Sequence, residues 1–140
     1  MQRNTVTLNG EWLANTTMEK KLPVLFVVED NAYGISMPTR KTNPLALGVL
    51  QASDWQQIEG QDVGKLYGAT RLAFEKIRGG KGPVFFWVKM ERLSSHTSSD
   101  DQKLYRSPEE LETLEKFDPL KCWKDQLIKE GVIDFVTTAT

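Results

Sequence analysis

Cys122 is the only cysteine in 140 residues, so an intramolecular disulfide cannot form and a thiolate zinc site is ruled out. His96 is the only histidine, which rules out a poly-histidine metal centre. No apolar run approaches the roughly 20 residues that span a bilayer. The opening MQRNTVTLNGEW has no apolar stretch of the secretory kind. Neither sign of charge dominates: 18 Lys and Arg face 19 Asp and Glu, a formal charge of −1. That balance argues against a nucleic-acid binder and against an acidic disordered tail. Also missing are a Gly-x-Gly-x-x-Gly fingerprint and the spacing of a phosphate loop. Residues 79–82 (GGKG) read as a plain helix-to-strand turn. What is present is ordinary: 39% hydrophobic and 26% charged residues, in a length that suits one domain with a single core. The expectation is a cytoplasmic protein with no nucleic-acid or membrane partner.

Two segments read as strands. Residues 22–29 (LPVLFVVE) are apolar on both faces and rich in β-branched and aromatic side chains, as a central strand of a parallel sheet would be. Residues 83–90 (PVFFWVKM) repeat that character. Between them, 62–78 shows Val63, Leu66, Tyr67, Thr70, Ala73 and Ile77 at three- and four-residue steps. This predicts a helix capped by Asp62, with Gly79 taking the left-handed stop. A short strand is expected at 55–58, a short helix at 11–20, and loop with one helical turn (45–51) over 35–54. Ser107-Pro108-Glu109-Glu110 is a capping box with proline at the first helical position, opening a helix to about residue 116. Asp118-Pro119 opens another, closed by Gly131, with Leu120, Trp123 and Leu127 on one face. The order of elements predicts an α/β fold: a parallel sheet flanked by helices, with a helical C-terminal segment.

In open parallel sheets, ligands lie outside the carboxyl ends of the strands. The first strand delivers Asp30, Asn31 and Tyr33 to that edge. If the two strands are parallel, the second delivers Arg92, His96, Asp100 and Asp101 to the same place. Asn31 offers a neutral oxygen suited to a hard cation such as Mg²⁺. His96 is the side chain whose ordinary pKa lies near neutrality. Asp30-Asn31 also suits a turn that binds nothing, and a histidine in the serine-rich polar loop 91–106 also suits plain solvent exposure.

The wording of these segments carries a resemblance. LPVLFVVEDNAYGIS followed by MPT resembles the thiamine-diphosphate segment in the α subunit of 2-oxo-acid dehydrogenases. ERLSSHTSSDDQKLYRSPEEL resembles the active-site loop of that subunit, and IEGQDVGKLYGATRLAFEKIRGGKGPVFFWVKM resembles the strand–helix–strand unit between the two. The likeness runs over about residues 11–131 and implies a partial thiamine-diphosphate-binding fold. It implies thiamine diphosphate and Mg²⁺ as cofactors, a 2-oxo acid as substrate, and transfer of the acyl group to the lipoyl group of an acyltransferase. A β subunit or fused β domain is implied as partner, within an oligomer.

Carried over by position, Asn31 would bind Mg²⁺ through its side-chain oxygen and Tyr33 through its carbonyl. Gly34 and Ile35 would lie against the cofactor. His96 would be the catalytic loop histidine beside it, and Arg92, Asp100, Tyr105 and Arg106 would order the loop. Thr97 matches a position that is a phosphorylatable serine in animal relatives. Ser99-Asp100-Asp101 with Tyr105-Arg106-Ser107 resembles the branched-chain enzyme more than the pyruvate enzyme. The family's motif opens with Gly-Asp-Gly and closes with Asn-Asn. Here Asp30 replaces the first Asn, and residues 1–10 hold no aspartate. The expectation is a single incomplete domain, 1–140, without the amino-terminal half of the family domain and inactive in isolation. The alternative expectation is a non-catalytic α/β fragment serving as an assembly module.

Overall fold

The computed structural model describes residues 16–48 and 54–134. Three parallel strands form its sheet: β1 (Leu25–Asp30), β4 (Gln56–Glu59) and β5 (Val84–Lys89). Their spatial order is β1-β5-β4. Leu25 pairs with Val84, Asp30 with Lys89, and Glu59 with Lys89 from the other side. All three strands therefore end together at one carboxyl edge. The parallel sheet and flanking helices agree with the α/β expectation.

The central strand is β5, not the segment at 22–29. Phe85, Phe86, Trp87 and Val88 are buried because β5 is paired on both sides and covered on both faces. β1 has only β5 beside it among the described residues, and Val27 is 50% exposed. On one face, Phe86 and Val88 pack with Ile58 and with Ala73 of helix α1 (Val63–Arg78). On the other, Phe85 stacks on Phe26 with ring centres 5.0 Å apart, and Trp55 lies against both Phe85 and Trp87. Alternating side chains of one strand thus supply both layers of the core.

Asp62 caps α1, accepting the Lys65 N–H at 2.9 Å. The left-handed residue after the helix is Gly80 (φ +70°), because Gly79 keeps φ −77° and still bonds back to Glu75. Gly82 (φ +90°) completes the turn into β5. Tyr67 is 72% exposed, so the buried stripe of α1 is narrower than the spacing suggested.

The loop expected after β1 contains a hairpin. β2 (Tyr33–Gly34) pairs antiparallel with β3 (Met37–Pro38) across Ile35 and Ser36. The alternation is too short to register in sequence. One helical turn begins at Asn43, whose carbonyl accepts Leu47 N–H. The remainder of the turn expected at 45–51 and the first half of the helix expected at 11–20 lie outside the described residues; residues 16–19 are helical.

Helix α2 (Pro108–Thr113) starts at Ser107, which accepts the Glu110 N–H, and continues as a 3₁₀ turn, Leu114–Phe117. Asp118 caps α3 (Pro119–Lys129), and Gly131 follows it at φ +69°. Leu120 does not join Trp123 and Leu127 against the protein; it is 79% exposed. No helix among the described residues is long and apolar enough to cross a membrane.

Candidate functional site

The carboxyl edge of the sheet carries two adjoining clefts, of about 370 and 490 Å³. Both are bounded by Ala32, Arg40, Glu91 and Phe117. The first also takes in the strand ends at Asp30, Glu59 and Lys89, and the second Tyr33 and Glu110.

The turn leaving β1 is built from consecutive side-chain-to-backbone bonds. Asp30 Oδ1 accepts the Ala32 N–H and Asn31 Oδ1 accepts the Tyr33 N–H, each at 3.0 Å. Both residues thus act as turn formers. Ala32 is held at φ +65° and Ile35 at φ +60°. Left-handed backbone is costly for side chains with a Cβ, most of all a β-branched one. Cross-links offset that cost: Ala32 carbonyl accepts Thr39 N–H at 2.8 Å, and Ile35 carbonyl accepts Arg92 Nη1 at 2.8 Å.

Tyr33 ties this turn to the chain beyond β5. Its hydroxyl donates to Glu110 Oε1 at 2.9 Å. The Arg106 guanidinium lies 4.5 Å from its ring centre, the Arg92 guanidinium 5.4 Å, and the Tyr105 ring 5.7 Å. Burial first, and then the Glu110 carboxylate, push the Tyr33 phenol above its ordinary pKa. Arg106 has a fully buried side chain. It donates to the Arg92 carbonyl and faces Glu110 at 3.4 Å and Glu91 at 3.8 Å.

The loop at 92–106 has few apolar anchors and is held by polar ones. The Tyr105 hydroxyl donates to Asp100 Oδ2 at 2.7 Å and accepts from Arg92 Nη2. The same Asp100 oxygen accepts the His96 backbone N–H at 2.8 Å. The Tyr105 hydroxyl, the His96 N–H and the Arg92 charge together hold the Asp100 carboxyl below its usual range. Burial and the Asp100 charge push the Tyr105 phenol up.

A carboxylate with a lowered pKa stabilises above its unfolded pKa and loses that contribution as pH falls through the folded value. The Asp100 carboxyl carbon resonance is therefore expected to hold its ionised position from neutrality until below about pH 4, the ordinary aspartate range, and the His96 amide resonance reports the hydrogen bond itself. Asp100→Asn should shift it at every pH. Titration of the Asp100 carboxyl carbon complete between about pH 7 and pH 5, well above that range, would contradict this assignment.

The structure brings together Asn31, Tyr33, Gly34 and Ile35 on the hairpin with Arg92, Asp100, Tyr105 and Arg106 beside it. His96 joins through its backbone. Its side chain is exposed, and no hydrogen bond, ion pair or ring contact among the described residues links the imidazole to Asn31. Thr97 is exposed and shares a 3.1 Å contact with Ser99. Three contributors went unread in the sequence. Glu110 reads as a capping residue, yet its carboxylate serves Tyr33 and Arg106. Glu91 reads as the start of a loop but faces both Arg106 and Arg40. Trp87 reads as core, and its indole N–H donates to Asp30 Oδ2 at 2.9 Å. A tryptophan two residues from a strand end was the available signal, since a buried indole N–H needs an acceptor.

Comparison with known proteins covers the same stretch of chain. The family described as "Dehydrogenase E1 component" matches residues 12–137. The chain is 34% identical over 124 residues to 2-oxoisovalerate dehydrogenase subunit alpha of Bacillus subtilis, covering 86% of this chain and 38% of that protein. It is 33% identical over 132 residues to a pyruvate dehydrogenase E1 component subunit alpha of Acholeplasma laidlawii, covering 89% and 38%. The corresponding subunit of Zymomonas mobilis is 35% identical over 117 residues, covering 80% and 33%. The chain thus spans between 33% and 38% of the length of these relatives.

Proposed function

Since the chain belongs to the dehydrogenase E1 component family, we propose that it forms the cofactor-facing part of an α subunit that decarboxylates a 2-oxo acid and passes the acyl group to a lipoyl-bearing acyltransferase. Its partner in this reading is a β subunit or fused β domain within an oligomer, in the cytoplasm. The observation that supports it best is the meeting of the 31–35 turn and the 92–106 loop at the carboxyl edge of parallel strands β1 and β5.

The residues fit the group that this reading requires. Asn31 Oδ1 accepts one hydrogen bond, so a second lone pair remains for a hard cation. The Asn31 oxygen and the Tyr33 carbonyl would hold Mg²⁺, while Gly34 and Ile35 would flank thiamine diphosphate. When bound, that cofactor supplies the electron sink for decarboxylation. The chain's own residues orient and shield. Arg92 clamps the Ile35 carbonyl, Tyr105 and Asp100 fix the backbone at His96, and Arg106 seats Tyr33. His96 would then handle a proton as the acyl group leaves for lipoyl sulfur.

For substrate we favour a branched-chain 2-oxo acid over pyruvate, on the Ser99-Asp100-Asp101 wording of the loop; the three relatives include both kinds. The test is reconstitution of an assembly that contains this chain, assayed with 2-oxoisovalerate and with pyruvate. A kcat/KM higher for 2-oxoisovalerate is the expected result. Preference for pyruvate would overturn the substrate choice, and turnover of neither would overturn the enzymatic reading.

A further inference from the structure

Asp30 stands where the carboxylate could have been free to face the cleft, and both of its oxygens are occupied instead. Oδ1 takes the Ala32 N–H and Oδ2 takes the Trp87 indole N–H. The register explains the reach. Trp87 pairs with Val28, so Val28, Asp30 and Trp87 share one face of the sheet. Trp87 is 4% exposed and packed against Trp55, so its indole cannot turn to water for an acceptor. Ala32 is 7% exposed and left-handed, a conformation that an alanine adopts only when its surroundings insist on it.

We propose that Trp87 and Asp30 are positioning residues: the indole fixes the carboxylate, the carboxylate fixes Ala32 in its left-handed state, and this aims the Asn31 and Tyr33 oxygens at a divalent cation. The inference rests on the proposed cation site at Asn31 and Tyr33. An amide at position 30 has a single oxygen and cannot serve the two directions that the two carboxylate oxygens serve. Neither Trp87 nor Asp30 touches the cation itself in this arrangement.

The test uses the whole 140-residue chain, ¹⁵N-labelled, with Mn²⁺ titrated in the presence of thiamine diphosphate and the broadening of individual amide resonances followed. Wild type should show localised broadening at Tyr33 and Gly34. Trp87→Phe keeps an aromatic ring and removes the N–H. It should need about tenfold more Mn²⁺ for the same broadening, which corresponds to about 1.4 kcal/mol. Asp30→Asn should behave similarly. Adding Ala32→Gly to Trp87→Phe should restore most of the loss, because glycine enters the left-handed region without a steric cost. A residue that only filled the core would not be rescued at Ala32.

Unchanged broadening in Trp87→Phe, with its loss in Asn31→Ala, would overturn the brace and leave the cation reading standing. Absence of localised broadening in wild type would overturn the cation reading and the purpose of the brace with it. Independently, the Trp87 indole resonance should move in Asp30→Asn; an unmoved resonance would sink the brace by itself.

Discussion

His96→Ala, in an assembly that contains this chain, is expected to slow acyl transfer to the lipoyl group by at least about a hundredfold, the scale of losing a general acid–base group. Decarboxylation read with an artificial electron acceptor should fall much less, because the cofactor does that chemistry. The geometry gives this contrast its basis. The loop grips the His96 backbone through Asp100 and leaves the side chain exposed, where a second substrate can reach it. Asn31→Ala should act differently, weakening Mg²⁺ and cofactor binding and depressing both assays together. A His96→Ala enzyme that transfers acyl groups at the wild-type rate would reduce His96 to a loop residue. A His96→Ala enzyme impaired equally in both assays would place its role in cofactor binding.

The second large effect concerns stability. Arg106→Ala is expected to cost about 3 kcal/mol, the lower end of the penalty for breaking a buried ion pair, since Glu91 and Glu110 keep some solvent contact. For a domain of this size that lowers Tm by roughly 10 °C. The reason is what stays behind. Glu110 loses its guanidinium and Tyr33 loses the closer cation over its ring, so the joint between the turn and α2 is left to the Tyr33–Glu110 hydrogen bond. Arg106→Lys keeps the charge without the planar fork and should fall between. Arg40→Ala is the control. Arg40 also pairs with Glu91, at 3.0 Å, but its side chain is 65% exposed, so its loss should cost under about 1 kcal/mol. Calorimetry that ranks Arg40→Ala above Arg106→Ala would refute the assignment of the buried arginine as the joint between the two halves of the site.

How far the sequence discloses this molecule depends on how local the determining physics is. α1 and its Asp62 cap, the Ser107 and Asp118 caps and the strand character of β1 and β5 are all set within a few residues, and all are present in the structure. The choice of central strand was not legible. Residues 22–29 and 83–90 are equally apolar, and only pairing decides which has a neighbour on each side. The left-handed stop moved from Gly79 to Gly80 because two adjacent glycines satisfy the same local rule. At the site, the meeting of hairpin and loop followed from parallel strands sharing an edge. The contacts between Tyr33 and Glu110, and between Trp87 and Asp30, join residues far apart in the chain; a buried indole signals the need for an acceptor, but no local pattern names either partner.

The strand order also governs assembly in time. β1 and β4 precede β5 in the chain and do not pair with each other; among the described residues each finds its strand partner only in β5, the last of the three to leave the ribosome. Until Lys89 has emerged, the β1 edge and the apolar faces of both strands lack the mate that β5 provides. Pairing Leu25 with Val84 then closes a long loop, whereas α1 brings β4 to β5 across a short one. Long-range parallel pairing is slow and leaves nascent edges open to wrong partners. The β4–α1–β5 unit should therefore form first and β1 dock onto it, which makes β1, with the 30–35 turn at its end, the last part of the sheet to become native.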